Sequence, residues 1–410
     1  MTTQNDTNED SPLQEPTPAV LVLEDGTFFE GEAGGASTRT TGEVVFNTSM
    51  SGYQEILTDP SYSGQLVTLT VPHVGNYGVT EEDDESAKIH AAGLIVRGLT
   101  DEPSNWRSDM SLPEWLKRED VAAISGVDTR ALVRHVRDEG VMMGVIAHDA
   151  TASEVDQLLA YLEEQPDYGS EDFVKGVVVE EPRVVVIDTP DADKGDDEID
   201  GDPAPGRVSF LDLDEAPSDD FRPHVVVVDY GVKFSILRHL HRQGFRMTLV
   251  PPTVDPQTVA DLQPDGVLLS NGPGDPAHLD DRLDLVRAVA DAYPTFGICM
   301  GHQLLSRAFG AETFKLQFGH RGPNQPVKDL SNGHVAMTSQ NHGYAVDAES
   351  MPEEMEVTHI NLNDDTVEGF RHTDRPVFGV QYHPEAGPGP HDAIEFFSDF
   401  ADAVRESREA

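Results

Sequence analysis

The stretch 294–310, PTFGICMGHQLLSRAFG, constrains the fold of this chain more than any other. Its apolar residues 295–298 predict a strand, and the apolar residues that follow repeat at helical spacing. Cys299 stands at the change from strand to helix, with one glycine two residues before it and another two residues after it. Glycines let the backbone bend sharply there and leave room beside the sulfur. The stretch predicts a strand, a tight turn and a helix, with a thiol at the turn.

Cys299 is the only cysteine of the chain, so it has no partner for an intrachain disulfide. A free cysteine is most often a small buried hydrophobic residue, and the thiol taken alone favours that interpretation. The flanking glycines favour a reactive thiol instead, because amide N–H groups at the start of a helix attract negative charge.

Residues 224–310 alternate between apolar strands and helices, which predicts an open doubly wound α/β sheet. Ligands bind such sheets at the carboxyl ends of strands. Cys299 and the loop with Gly272 and Gly274 both follow predicted strands, so amides of that loop could stabilise an oxyanion, although such loops are often only turns. Beyond residue 275, helices are predicted at 279–293 and 392–405 and strands at 335–339, 355–359, 367–371 and 377–382.

A histidine and a glutamate follow the last predicted strand. Pro384 keeps the chain extended after His383, and residues two apart in extended chain face the same side, so His383 and Glu385 point together. A carboxylate beside an imidazole fixes its tautomer and supports its cationic form. A histidine alone is more often structural, but together with Cys299 the three residues favour nucleophile, base and orienting group. The scattered histidines predict no metal site, and no phosphate-binding glycine motif is present.

The first half of the chain predicts a mixed α/β domain. Residues 19–23 and 27–29 flank an Asp-Gly turn and predict a hairpin. Further strands are predicted at 44–46, 66–71 and 92–96, and helices at 112–117 and 129–138. Composition then divides the chain into a disordered acidic lead-in (1–17), an N-terminal domain (18–165), an acidic linker or insertion (166–222) and the sheet domain (223–406). Valine runs at 177–179 and 184–187 of the linker are interpreted as strands.

The chain carries 75 acidic and 28 basic residues, a formal net charge of −47. This charge argues against binding to nucleic acid or an anionic membrane. It favours a halophilic protein, because at about 1 M salt the Debye length is roughly 3 Å and self-repulsion is screened. The N-terminal stretch has no signal-peptide pattern, and no apolar run is as long as a membrane span. We therefore expect a cytoplasmic protein.

Two motifs together resemble the signatures of triad (class I) glutamine amidotransferases. They are GICMGHQ around Cys299 and QYHPEA around Glu385. Several other stretches closely resemble the small, glutamine-hydrolysing subunits of carbamoyl phosphate synthetase, over residues 18 to 405. These stretches are 41–79 (TGEVVFNTSMSGYQEILTDPSYSGQLVTLTVPHVGNYGV), SNGPGDP, FGHRGPNQPV, SQNHGYAVD and HPEAGPGPHDA.

The resemblance implies roles for individual residues. Cys299 would attack the carboxamide of L-glutamine, His383 would carry the proton, and Glu385 would orient His383. A glutamyl thioester would form and be hydrolysed. The glutamine site would be lined by Ser49, Gly272, Gly274, Met300, Gln303, Asn341, Gly343 and Tyr344.

The resemblance also implies a partner. No ATP-binding module is recognisable, so no cofactor is expected in this chain, and ATP and Mg would bind the large subunit. Ammonia would pass to that large ATP-grasp subunit, which makes carbamoyl phosphate from bicarbonate for arginine and pyrimidine biosynthesis.

Three alternatives remain open from the sequence. The chain could serve another synthase, such as those for GMP or anthranilate, although residues 41–79 argue against this. It could be a cysteine hydrolase or protease on a similar sheet, which would not need Gln303. It could also be a regulatory partner without activity, which the intact triad disfavours.

Overall fold

The structure is a computed structural model that describes residues 16–188, 206–216 and 221–409. The predicted lead-in therefore lies almost wholly outside the described residues, and so do residues 189–205 of the predicted linker. Among the described helices, none is long and apolar enough to cross a membrane.

The N-terminal half forms a closed barrel of seven strands. These strands are β1 (Pro18–Leu23), β2 (Phe28–Gly35), β3 (Thr40–Asn47), β4 (Gln65–Leu69), β5 (Gly93–Ile95), β6 (Ala122–Ser125) and β7 (Met142–His148). They run in the order β1-β2-β6-β5-β4-β3-β7, and β7 closes the barrel by pairing with β1. Four helices accompany them: α1 (Tyr53–Thr58), α2 (Leu112–Arg118), α3 (Thr129–Glu139) and α4 (Val155–Glu163).

Local sequence explains several of these elements. The predicted hairpin is confirmed, since β1 pairs antiparallel with β2 across the Asp25-Gly26 turn. Asp128 caps α3 through the N–H of Ala131, and Ser111 with Glu114 forms a capping box at the start of α2. Such caps satisfy N–H groups that have no partner within the helix.

The C-terminal half is built on an eleven-stranded sheet. Its strands are β8 (Arg183–Asp188), β9 (Arg207–Leu211), β10 (His224–Val228), β11 (Arg246–Val250), β12 (Gly266–Leu269), β13 (Thr295–Ile298), β14 (Thr313–Asp329), β15 (Val335–Val346), β16 (Met355–Asn361), β17 (Val367–His372) and β18 (Val377–Val380). Their order is β15-β14-β16-β17-β18-β13-β12-β10-β11-β8-β9. The five strands from β18 to β11 are parallel, and antiparallel strands extend both edges.

Helices cover both faces of the parallel strands, which confirms the predicted doubly wound α/β architecture. The helices are α5 (Phe234–Arg242), α6 (Pro256–Asp261), α7 (Leu283–Ala292), α8 (Met300–Ala308) and α9 (Glu395–Glu409). Along β10, Val225 and Val227 join one hydrophobic core with α5 and α9. Val226 and Val228 join a second core with α7 and α8. Because both faces of β10 are covered, its sequence is a continuous apolar run.

The structure corrects three predictions. Residues 177–179 are not a strand, because the chain there is leaving a 3-10 turn at Phe173–Gly176. The helix predicted at 279–293 is a 3-10 turn at Pro276–Arg282 followed by α7. The segment 166–222 is more than a linker, since β8 and β9 pair with each other and β8 pairs with β11 of the sheet.

Candidate active site

Cys299 lies at the junction of β13 and α8, as the sequence predicts. It is the N-cap residue of α8, with φ 51° and ψ −101°. A non-glycine residue at positive φ is strained, and such strain is concentrated at functional sites. The neighbouring glycines explain why the turn forms: a Cβ at Gly301 would collide with the backbone oxygen of Leu269, and one at Gly297 would lie 2.6 Å from the backbone of Gly301. Helix α8 can therefore pack this closely on β13 and on the end of β12 only because residues 297 and 301 have no side chain.

His383 and Glu385 follow β18 and are fully buried beside each other. The Nδ1 atom of His383 lies 2.6 Å from Oε1 of Glu385. The other ring nitrogen, Nε2, faces the Cys299 thiol without completing a hydrogen bond within the described residues. The structure therefore brings the three predicted triad residues together in the order thiol, imidazole and carboxylate.

A buried lysine completes this row of charges. Lys233, directly before α5, donates to Oε1 of Glu385 at 3.0 Å and to the carbonyl oxygen of Ala386. Burial alone would raise the pKa of Glu385, but the charges of Lys233 and His383 hold it below its usual range. Glu385 is therefore a carboxylate at neutral pH.

The charge of His383 follows from the same neighbours. Burial would lower its pKa, but the negative charge of Glu385 and the contact with Cys299 raise it well above the usual range. These neighbours favour an imidazolium whose proton lies close to the sulfur. The arrangement suits a cysteine nucleophile that must hand a proton to a leaving group.

A small cavity opens beside the Cys299 sulfur. It is lined by seven of the residues predicted to bind glutamine: Gly272, Gly274, Met300, Gln303, Asn341, Gly343 and Tyr344. Gln303 is fixed in the wall, because its Nε2 donates to the carbonyl oxygen of Tyr344 at 2.7 Å and to Oε1 of Gln381 at 3.0 Å. Gln381 in turn lies 3.6 Å from the sulfur of Cys299.

Ser49 is not brought to this cavity. It is buried in the loop after β3, where its N–H donates to the side chain of Asn47. Ser61, further along the same loop region, lines the cavity instead. Ser49 therefore stays a prediction of the resemblance, and Ser61 is the serine that lines the cavity in this structure. The sequence Asp59-Pro60-Ser61 carries a signal for the second serine, since aspartate followed by proline is typical of a capped turn, which here positions Ser61.

Asp59 joins the two halves of the chain at the cavity. Its side chain accepts from the N–H of Ser61 and from Nδ2 of Asn341, at 2.9 and 3.0 Å. Asn271 reaches the same turn, donating to Oγ of Ser61 at 3.0 Å and lying 3.5 Å from Asp59. Asn271 precedes the Gly272 loop and Asn341 lies in β15, so one carboxylate of the barrel contacts a loop and a strand of the sheet domain. We call Asp59 with Ser61, Asn271 and Asn341 the interdomain clamp.

A second cluster of titratable groups was not predicted. His320, His342 and Glu368 place potential metal-ligating atoms within 4.8 Å of one another. The ring nitrogens are already engaged, since His320 Nε2 lies 2.9 Å from Asp364 and the two nitrogens of His342 face Gln340 and the Tyr344 carbonyl. In this structure the cluster is a network of hydrogen bonds and ion pairs behind β15.

Lys233 and Asp59 are the main site residues that sequence reasoning missed. Each lies in a part of the chain whose local pattern predicts only a helix start or a turn. Their importance comes from partners 152 and 282 residues away along the chain. No local pattern carries that information.

Two family models match the chain. Residues 21–146 match the carbamoyl-phosphate synthase small chain, CPSase domain, and residues 226–403 match glutamine amidotransferase class-I. The first match covers most of the barrel and the second covers the sheet with the Cys299 site.

Curated relatives resemble the chain over nearly its whole length. The carbamoyl phosphate synthase small chain of Rhodopirellula baltica is 48% identical, covering 95% of this chain and 96% of the relative. The same-named protein of Syntrophotalea carbinolica is 46% identical, covering 96% and 99%. That of Archaeoglobus fulgidus is 47% identical, covering 95% and 99%.

Proposed function

Because this chain belongs to the carbamoyl phosphate synthase small chain family, we propose that it hydrolyses L-glutamine at Cys299 and supplies the ammonia to a large synthase subunit. The observation that carries the proposal is the triad itself. A strained, buried cysteine faces a histidine that is held by a glutamate, at the edge of a cavity that both domains line.

The first step is attack of the Cys299 sulfur on the side-chain carboxamide carbon of glutamine. Because the pKa of His383 is raised, its Nε2 already holds the thiol proton when the sulfur attacks, and its Nδ1 stays hydrogen-bonded to Glu385. Charge then builds on the carboxamide oxygen. The Gly301 N–H at the start of α8 donates to the carbonyl oxygen of Ser270, but a helix start leaves further N–H groups without an intrahelical partner. Since the Gly272 loop also borders the cavity, backbone amides of the two segments are candidates for binding this oxygen.

The second step breaks the carbon–nitrogen bond. His383 returns its proton to the departing nitrogen, and ammonia leaves while a glutamyl thioester remains on Cys299. Water then attacks the thioester with His383 as the base, and glutamate and the free thiol are released. Lys233 keeps Glu385 ionised throughout, so that His383 can alternate between its two protonation states.

The ammonia requires a second protein. We infer that a large ATP-grasp subunit, with its own ATP and Mg, uses it with bicarbonate to make carbamoyl phosphate for arginine and pyrimidine biosynthesis. The family match of the barrel supports this partner over the synthases for GMP or anthranilate, because it concerns the domain that is particular to the small chain. The assembled triad speaks against a role without activity.

Glutaminase assays on the wild type and on Cys299→Ser test the proposal. We expect the substitution to reduce kcat by at least about a thousandfold, since the nucleophile is removed while the cavity is kept. Mass spectrometry after acid quenching should detect a glutamyl adduct on Cys299 in the wild type. Equal rates for the two proteins would contradict the catalytic assignment. Copurification with an ATP-grasp protein that accelerates glutaminase turnover would test the partner.

A further inference from the structure

The cavity beside Cys299 is narrow in this structure. The space in it open to water is about 30 Å³, enough for only two or three waters at ~10–15 Å³ each. Cys299 itself is 2% exposed. A free amino acid as large as glutamine does not fit, so one wall must move before the sulfur can be reached.

Most of the wall is fixed by buried hydrogen bonds. The barrel side is held by the interdomain clamp. The side formed by α8 and β15 is held by Gln303, which bonds the Tyr344 carbonyl and Gln381. These contacts lie within or beside regular elements, and opening them would break the site itself.

The remaining wall is formed by a segment that belongs to no described strand or α-helix. Residues 168–176 run between the two domains as two 3-10 turns, Tyr168–Ser170 and Phe173–Gly176, without strand pairing. We call this segment the interdomain arm. Tyr168 lines the cavity together with Gly274. The arm therefore forms part of the wall beside the glycine loop.

Two side chains of the arm hold it closed. Phe173 stacks on Tyr168 with ring centroids 4.6 Å apart, and a Cβ on Gly64 of the barrel would collide with its ring. Phe173 thus sits in a socket that exists because residue 64 is glycine. Asp172 accepts from Arg282 at 2.7 Å, and the side chain of Arg282 is only 6% exposed.

We propose that the interdomain arm is a displaceable plug of the glutamine site. Tyr168 narrows the substrate cavity, while Phe173 and the ion pair of Asp172 with Arg282 latch the arm. Glutamine enters when the latch opens and Tyr168 moves away from the cavity. The inference rests on the proposed function only in naming glutamine as the molecule that enters.

Alkylation of Cys299 by iodoacetamide measures the opening directly, because the chain has a single thiol. Asp172→Asn keeps the oxygen that caps Val174 and removes the charge that pairs with Arg282. Phe173→Ala empties the socket. We expect each variant of the full chain to be alkylated at least about tenfold faster than wild type, since a change of about 1.4 kcal/mol in a local opening equilibrium is tenfold.

Asp280→Asn is the matched control. It removes a comparable ion pair, that of Asp280 with Arg307, on the same 3-10 turn as Arg282 but away from the arm. Its alkylation rate should equal that of wild type, and thermal unfolding should show that all variants are folded. Alkylation rates for Asp172→Asn and Phe173→Ala within twofold of the wild-type rate would contradict the proposal that the arm is a displaceable plug. Alkylation needs no turnover, so this result is independent of whether the chain hydrolyses glutamine.

Tyr168→Phe tests the plug by a second route. Removing the hydroxyl takes a polar group out of the cavity that glutamine must displace, so KM for glutamine should fall by about two- to tenfold, the range expected for one hydrogen bond. An increase in KM would instead make Tyr168 a group that binds substrate, and would overturn its assignment as a plug.

Discussion

Lys233 is one cation shared by carboxylates from both halves of the chain. Its ammonium bonds Glu385 of the triad, and the charges of Glu85 and Asp59 from the barrel act on it as well. Burial opposes its charge, but these carboxylates raise its pKa above the usual value. The triad is thereby tied to the barrel through a charge that the mechanism itself does not move.

Lys233→Met should destabilise the protein by about 3–5 kcal/mol, because it leaves Glu385 and Glu85 as buried charges without their cation. Urea unfolding at neutral pH measures the loss. Adding Glu85→Gln to the Lys233→Met protein should recover part of the lost stability. Lys88→Met, on the exposed surface, should change the stability by less than about 0.5 kcal/mol. Equal stability of Lys233→Met and wild type would show that the buried cation is dispensable.

The two serines of the barrel can be separated by kinetics. Ser61→Ala should raise KM for glutamine about three- to tenfold, because a hydrogen-bonding group of the cavity wall is lost. Ser49→Ala tests the serine that the resemblance implies: a raised KM would confirm its role in binding glutamine, and an unchanged KM would exclude it. Steady-state glutaminase kinetics of the two variants measure both effects.

His320 gives the stability a pH dependence. Burial would lower its pKa, but Asp364 and Glu368 raise it to about 9. Since the unfolded value is about 6.5, protonated His320 stabilises the fold fully below about pH 6.5, and this stabilisation is lost as the pH rises towards 9. We expect the unfolding free energy of wild type to fall over this range, and that of His320→Gln to fall less. Parallel urea-unfolding profiles of the two proteins would contradict the assignment.

At the scale of elements, the turn between β13 and α8 depends on close backbone contact. Gly301→Ala should destabilise the protein by about 1–3 kcal/mol or more, because its Cβ would meet the backbone of Leu269 at the end of β12. Gly176→Ala is the control, since no atom lies within 4 Å of a Cβ there and its φ is not positive. Thermal unfolding of both variants tests this, and equal melting temperatures would argue against the contact.

Sequence pattern predicted those elements whose information is local. Strand β10 and helix α3 are recognisable because an apolar run and a capped amphipathic repeat specify them directly. β14 was not predicted, because its residues are only partly apolar and its long pairing with β15, interrupted by register shifts, defines it. The valine run at 184–187 did predict β8, whereas β9 was not predicted and is defined by its pairing with β8.

The same distinction between local and long-range information applies to the residues of the site. The glycine turn at Cys299 and the spacing of His383 and Glu385 were sufficient to predict the triad chemistry. The contributions of Lys233, Asp59 and Tyr168 could not be predicted, because each acts on residues from another part of the chain. Ser49 was assigned by resemblance, whereas the contact of Ser61 with the cavity is visible only in the three-dimensional arrangement.

At the scale of the whole molecule, the net charge of −47 should make stability depend on salt. Repulsion between carboxylates destabilises the compact state, and about 1 M salt shortens its range to roughly 3 Å. We expect the melting temperature to rise as KCl is increased from low to molar concentration. A melting temperature independent of salt would contradict the halophilic interpretation.

The interdomain clamp also bears on the time at which activity arises during synthesis. Asp59 leaves the ribosome long before Asn341 and His383, and domains generally fold in the order in which they are made. The barrel can therefore be complete while the nucleophile still has neither its base nor its substrate cavity. On the proposed function, we expect glutamine hydrolysis only after residues 341–385 have been made and packed against the barrel, because a shorter chain lacks the base of Cys299.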